Sequence, residues 1–224
     1  MSTRIDNAVS ILMGIAALTV AIAVGYRAFG GPAVEPGPMT PRAATPPLDE
    51  SDWAEMMRLA RPVIGESSDR IVVIEFTDLE CPACRMFHAA LRRLPADSLA
   101  GVRFLVMHFP LPNHRFALPA ARALECAAEA DHTLAFVDAV YAHQDSVGLL
   151  SWGTIAHRAG IPDTASIADC AADPTPVFRI EESLALGNRI GVQETPVLFV
   201  DGLRLPRPTT NELLRALAAA RGFQ

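Results

Sequence analysis

The residues best suited to chemistry are two thiols three positions apart, in the run Cys81-Pro82-Ala83-Cys84. Ile71–Phe76 (IVVIEF), just before them, is a β-branched apolar run of strand length. Proline is tolerated in the first turn of a helix, so Pro82 marks a helix start and leaves Cys81 at its N-terminus. Unpaired backbone N–H groups and the helix dipole stabilise a thiolate there, and the thiolate is the reactive form. Cys84 follows one turn later, close enough to close a disulfide with Cys81. Such a pair performs thiol–disulfide exchange: Cys81 attacks or accepts, and Cys84 resolves the mixed disulfide. A bare CxxC is also half of a zinc site. Zinc needs two further ligands at compatible spacing, and there is no second CxxC. Neither a metal nor another cofactor is expected.

Two further features lie near this pair in the reading. Glu75 places a carboxyl inside the apolar run, and its neighbours at period two, Ile71 and Val73, are both apolar. Burying a carboxyl costs several kcal/mol unless it is neutral or partnered, so Glu75 either faces solvent or serves as a proton relay for Cys84. Thr195-Pro196 stands immediately before a second apolar run, Val197–Val200. Proline opens strands routinely; the sharper alternative is a cis peptide that docks a substrate chain beside the dithiol.

The elements that must hold these residues read as an α/β pattern. A short helix over 52–60, ended by Pro62, precedes the first strand, and the helix from Pro82 stops before Pro95. Val102–Phe109 is a second strand. Helical signals then dominate about 111–190: Pro119 opens one helix, Ser151 caps another that ends at Gly160, a third ends near Cys170, and a fourth starts at Pro176. Val197–Val200 and Leu203–Leu205 form a hairpin turning at Asp201-Gly202. The last helix opens on the capping box Thr209–Glu212 and closes at Gly222. The expected fold is a small mixed β-sheet flanked by helices, with an inserted helical domain.

This combination resembles the thioredoxin superfamily, and within it the DsbA-like extracytoplasmic branch. The resemblance covers residues 51–224 and rests on IVVIEFTDLECPACRMFH (71–88), HFPLPNH (108–114), the helical insert, and GVQETPVLFVDG (191–202). It implies a thioredoxin-like fold in which Cys81 is the exposed nucleophile and Cys84 the resolving thiol. It makes Pro196 a cis-proline facing them, with Thr195 beside it in the substrate-binding edge, and Glu75 a buried acid. It favours a structural disulfide between Cys126 and Cys170, two cysteines that would otherwise read as small buried residues of Ala-rich helices. A histidine between the cysteines marks the strongest oxidants of the branch, whereas this chain has Ala83. Asp78 and Glu80 beside Cys81 are expected to raise its pKa, giving a moderate potential. His114 gains only a hint of a role. The implied activity is disulfide exchange with exported proteins, as a donor, served by a membrane redox partner (a quinone-linked re-oxidant or an electron-supplying reductase). The alternatives are a reductase or isomerase, or a thioredoxin-like holdase. Isomerases of the superfamily dimerise through an extra domain for which there is no room, so a monomer is expected.

Residues 8–26 read as a transmembrane anchor, since no charge falls between Asp6 and Arg27 and such a stretch spans a bilayer core as a helix. A cleaved signal peptide is the alternative. Residues 1–7 form a short tail, and 27–50 a Pro-rich linker. Flanking charges barely fix orientation. A Cys126–Cys170 disulfide would require an oxidising compartment, which puts the N-terminus inside and the domain outside. The 224-residue chain carries a net charge of -6, which argues against a nucleic-acid partner. It contains no Lys, which excludes Schiff-base catalysis and a Walker-type phosphate loop.

Overall fold

The computed structural model describes residues 48–205 and 208–222. The expected tail (1–7), anchor (8–26) and most of the linker lie outside the described residues. Among the described residues no helix is long and apolar enough to cross a membrane.

Helix α1 (Glu50–Leu59) starts where the Asp49 carboxylate accepts the Asp52 N–H at 2.7 Å. It is followed by strand β1 (Arg61–Ile64), strand β2 (Ile71–Thr77), helix α2 (Pro82–Leu91) and strand β3 (Val102–His108). Five helices come next: α3 (Ala117–Glu129), α4 (Thr133–Ala142), α5 (Trp152–Arg158), α6 (Thr164–Ala172) and α7 (Phe178–Arg189). Strands β4 (Val197–Val200) and β5 (Leu203–Arg204) and helix α8 (Thr210–Gly222) complete the domain. The expected starts are visible as caps: Ser151 Oγ accepts from Thr154 N, and Thr209 Oγ1 from Glu212 N. The hairpin turn places both Asp201 and Gly202 at positive φ, 45° and 82°, the geometry that a two-residue turn requires.

The sheet order is β1-β3-β2-β4-β5, with β2 and β3 parallel and the other pairs antiparallel. Its central strands are apolar on both faces, which is why they read as continuous hydrophobic runs. Ile71, Val73, Val102, Phe104, Val106, Leu198 and Val200 face one core with α2, α8 and helices α3–α6. Ile74, Phe76, Leu105, Met107, Val197 and Phe199 face the other, covered by α1 and α7. The stretch expected as one helical insert is therefore divided between the two faces. Gly187 of α7 allows close approach to the sheet, because a Cβ there would come within 2.6 Å of the Phe109 ring.

Strand β1 was not expected from the sequence. Pro62 had marked only a helix end, yet it sits in an edge strand, the place in a sheet where a residue without an N–H is tolerated. Its Arg61 reaches Glu125 of α3 at 2.6 Å. Glu125 is 6% exposed and also meets His108 Nε2 at 2.7 Å and Arg179 Nε at 3.2 Å. Burial alone would raise its pKa. The hydrogen bonds from His108 and Arg61, with their charges, outweigh burial and hold it down at about 2. One carboxylate thus joins β1, β3, α3 and α7.

Candidate active site

Strand β2 delivers the chemistry to one face. Ile71, Val73, Glu75 and Thr77 alternate toward the core that contains Cys81 and Cys84, and Glu75 pairs in register with Val106 and Leu198. Glu75 is 2% exposed, so its carboxyl is not at the solvent face, and its Oε1 has no hydrogen-bond partner. Burial first, then the nearby Cys81, raises its pKa to about 8. It is therefore largely protonated near neutral pH.

Cys81 is the residue before the first turn of α2, with Pro82 at the first helical position. It is only 6% exposed, more sheltered than the exposed nucleophile expected, while Cys84 is fully buried. Both are free thiols in this structure. In its thiol form Cys81 Sγ donates to the Thr195 carbonyl at 3.4 Å, and the Thr195-Pro196 peptide is cis. The two sulfurs experience opposite pulls. A hydrogen bond from Cys84, opposed by burial and helped by the Thr195 side chain and the N–H groups of Cys84 and Ala83, lowers the Cys81 pKa to about 5. Burial, the hydrogen bond to Cys81 and the charge of Glu75 push Cys84 well up. Cys81 is thus the thiolate and Cys84 the thiol.

The expectation that Asp78 and Glu80 raise the Cys81 pKa is corrected. Both carboxylates are occupied elsewhere. Asp78 Oδ1 accepts the Glu80 N–H at 2.8 Å; its Oδ2 accepts Leu111 N–H at 2.8 Å and meets His114 Nδ1 at 2.7 Å. Glu80 accepts the Phe116 N–H. Hydrogen bonds hold both carboxylates in place, and the pull of Cys84 and of the helix N–H groups on Cys81 is the larger.

Sequence reasoning missed the side chains that α4 contributes. Asp138 meets His88 Nε2 at 2.6 Å, and Tyr141 OH meets Thr77 Oγ1 at 2.8 Å. In the short 3-10 turn that follows, Gln144 Nε2 donates to the carbonyls of Leu79 (2.9 Å) and Cys81 (3.1 Å), and Asp145 pairs with Arg85 at 2.8 Å. Asp138, Tyr141 and Gln144 recur every three residues, so a single stripe grips the segment from Thr77 to Arg92. Tyr141 is buried beside Cys84 and Glu75; burial, then those two charges, raise its pKa far beyond its ordinary value. Burial lowers the His88 pKa against the pull of Asp138. His88 therefore braces α2 against α4.

Cys126 and Cys170 are joined in a disulfide between α3 and α6, with their Cα atoms 6.5 Å apart. Among the described residues no group of three or more His, Cys, Asp or Glu side chains could hold a metal ion.

A family model described as Thioredoxin matches residues 58–219. The chain belongs to the thioredoxin family. Its fold is that of the DsbA-like thiol–disulfide oxidoreductases. A thioredoxin-like oxidoreductase from Silicibacter pomeroyi superposes with a TM-score of 0.63 at 26% identity, covering 75% of this chain and 96% of that one. The thiol–disulfide exchange protein alpha-DsbA2 from Wolbachia pipientis gives a TM-score of 0.60 at 19% identity, covering 76% and 91%. Among curated sequences, the Na(+)/H(+) antiporter NhaA 3 of Salinispora tropica is 28% identical over 228 residues, covering 88% of this chain and 35% of that protein. This thioredoxin-family chain spans about a third of the length of the curated relatives it matches.

Proposed function

We propose that this chain is an extracytoplasmic thiol–disulfide oxidoreductase that donates disulfides to exported proteins through Cys81 and Cys84. The observation that carries the reading is the opposite tuning of the two sulfurs, with Cys81 held low and Cys84 high. A substrate thiolate attacks Cys81 of the Cys81–Cys84 disulfide, forming a mixed disulfide and expelling Cys84. Cys84 is a poor leaving group as a thiolate, and the protonated Glu75 behind it supplies the proton. The substrate's second thiolate then attacks its own bonded sulfur and releases Cys81 as a thiolate. The substrate loses two electrons, which the Cys81–Cys84 pair gains. A stabilised Cys81 thiolate favours the reduced pair and hence the donor direction. Thr195, whose carbonyl lies 3.4 Å from Cys81 Sγ, and Pro196 after it form the edge on which a substrate chain rests.

Re-oxidation then requires a membrane redox partner, in the first instance a quinone-linked re-oxidant. The uncharged run between Asp6 and Arg27 supports a single-pass anchor with the N-terminus cytoplasmic, and the Cys126–Cys170 disulfide supports a domain outside the cytoplasm. Ion antiport is not proposed, since this chain corresponds to about a third of the antiporter sequences it matches.

Alkylation trapping in intact cells, scored separately for each cysteine pair, tests the reading. A mainly oxidised Cys81–Cys84 pair is the expected result. A reduced Cys81–Cys84 pair beside an oxidised Cys126–Cys170 pair would overturn donation in favour of a reductase or isomerase.

A further inference from the structure

The Pro82-Ala83 dipeptide carries no charge, and the first turn of α2 contains no acidic residue. An imidazole reaches the turn that carries Cys81 from elsewhere in the chain, the loop between β3 and α3. His114 Nδ1 lies 2.7 Å from Asp78 Oδ2, the His114 side chain is 18% exposed, and that of Asp78 is fully buried. Asp78 also receives the Cys81 amide on its backbone carbonyl at 3.0 Å, so a single residue seats both the imidazole and the start of the redox helix. A buried carboxylate with this many donors is held rigidly, and the imidazole with it.

We propose that His114, seated on Asp78, is the cation that stabilises the Cys81 thiolate, a positioning residue acting across the loop rather than within the CxxC motif. The inference rests on Cys81 being the reactive thiol of the proposed function and adds the group that tunes it. Beside Asp78, which it touches, His114 feels the charges of Glu80 from the turn after β2 and of Cys81 at the head of α2. Arg115, its chain neighbour, lies with its guanidinium over the Phe116 ring. Burial opposes protonation of His114, but the Asp78 hydrogen bond and the charges of Asp78, Cys81 and Glu80 outweigh it and raise its pKa. Cys81 in turn faces Cys84, Glu75 and Thr195. Linkage is reciprocal: if the Cys81 thiolate favours protonated His114, protonated His114 favours the thiolate equally. Closing the Cys81–Cys84 disulfide removes that negative charge, so His114 must then lose its proton at lower pH.

The wild-type chain tests this without any substitution. NMR titration of the His114 ring in the reduced and oxidised protein should show a higher midpoint in the reduced state. In parallel, ultraviolet thiolate absorbance of reduced His114→Gln should show the Cys81 midpoint raised by about half to one pH unit, a three- to tenfold loss of thiolate stability. The glutamine retains a donor for Asp78, so a purely structural role predicts no such shift. Equal His114 midpoints in the two redox states overturn the proposal, whether or not the variant folds. A shifted thiolate midpoint without a shifted His114 also overturns it, since His114 would then act only by placing Asp78. Neither readout depends on turnover. A protein that shows the linkage but exchanges no disulfide with a dithiol peptide refutes the proposed function and leaves this inference standing.

Discussion

The two cysteine pairs of this chain occupy contrasting regions. Cys81 and Cys84 lie one turn apart at a helix start, against a buried acid, with their proton affinities pulled in opposite directions. Cys126 and Cys170 lie 44 residues apart and join two helices of the α3–α6 layer. A short loop gains little from closure, so its disulfide opens readily. A long one restricts the unfolded chain strongly and resists opening. The same element thus suits exchange in one place and cross-linking in the other, with separation and surroundings deciding which.

The largest effect should come from the first pair. Cys81→Ala should abolish exchange with a dithiol peptide, and Cys84→Ala should accumulate a mixed disulfide at Cys81, seen as a mass shift. The double variant Cys126→Ala/Cys170→Ala should keep its exchange rate within about twofold. A comparable loss of rate in that variant would erase the contrast.

Glu75→Gln addresses the unpaired buried acid behind the first pair. Its folded pKa, about 8, lies above the ordinary carboxyl value, so its burial is harmless below that ordinary value. Stability is then lost as pH rises toward 8, by about 4–5 kcal/mol in all. Urea unfolding of the glutamine variant should show no such decline, and the two proteins should converge near pH 4. Exchange should slow in the variant, because Cys84 loses its proton donor.

Opening the second pair is expected to cost about 4 kcal/mol of stability from loop entropy. Urea melts of the double alanine variant measure this. The smallest effect belongs to the stripe that connects the regions: Gln144→Leu leaves the Leu79 and Cys81 carbonyls short of a donor and should cost about 1–3 kcal/mol. A loss confined to thermal stability, with an unchanged Cys81 titration, would show that α4 supports the redox turn without tuning it.

Much of this was legible in the sequence where the signal is local. The runs of β2, β3 and β4 announce themselves because both of their faces are buried, and Ser151 and Thr209 mark helix starts by their own side chains. Strand β1 was not legible, since four residues with a proline at their centre carry no periodic pattern and depend on β3 for pairing. Cys81, Cys84 and the run before them could be read because the motif is contiguous. Tyr141 and Gln144 could not be, because their partners are a hydroxyl and backbone carbonyls 63 to 65 residues away. Asp78 and Glu80 were misread for a related reason: a sequence shows their charge but not the N–H groups that hold and orient it.

The α4 stripe bears on whether this redox turn can be transplanted. A cassette of residues 71–92 moved onto a bare thioredoxin sheet would arrive without Tyr141 and Gln144, leaving the Thr77 hydroxyl and two carbonyls around Cys81 to find new partners. Conversely, an insert borrowed from a relative would have to present an amide and a phenol three residues apart before the turn closed around its sulfur. Redox turn and helical layer are thus structurally interdependent, and chimaeras that cut between them should fold less tightly than either parent.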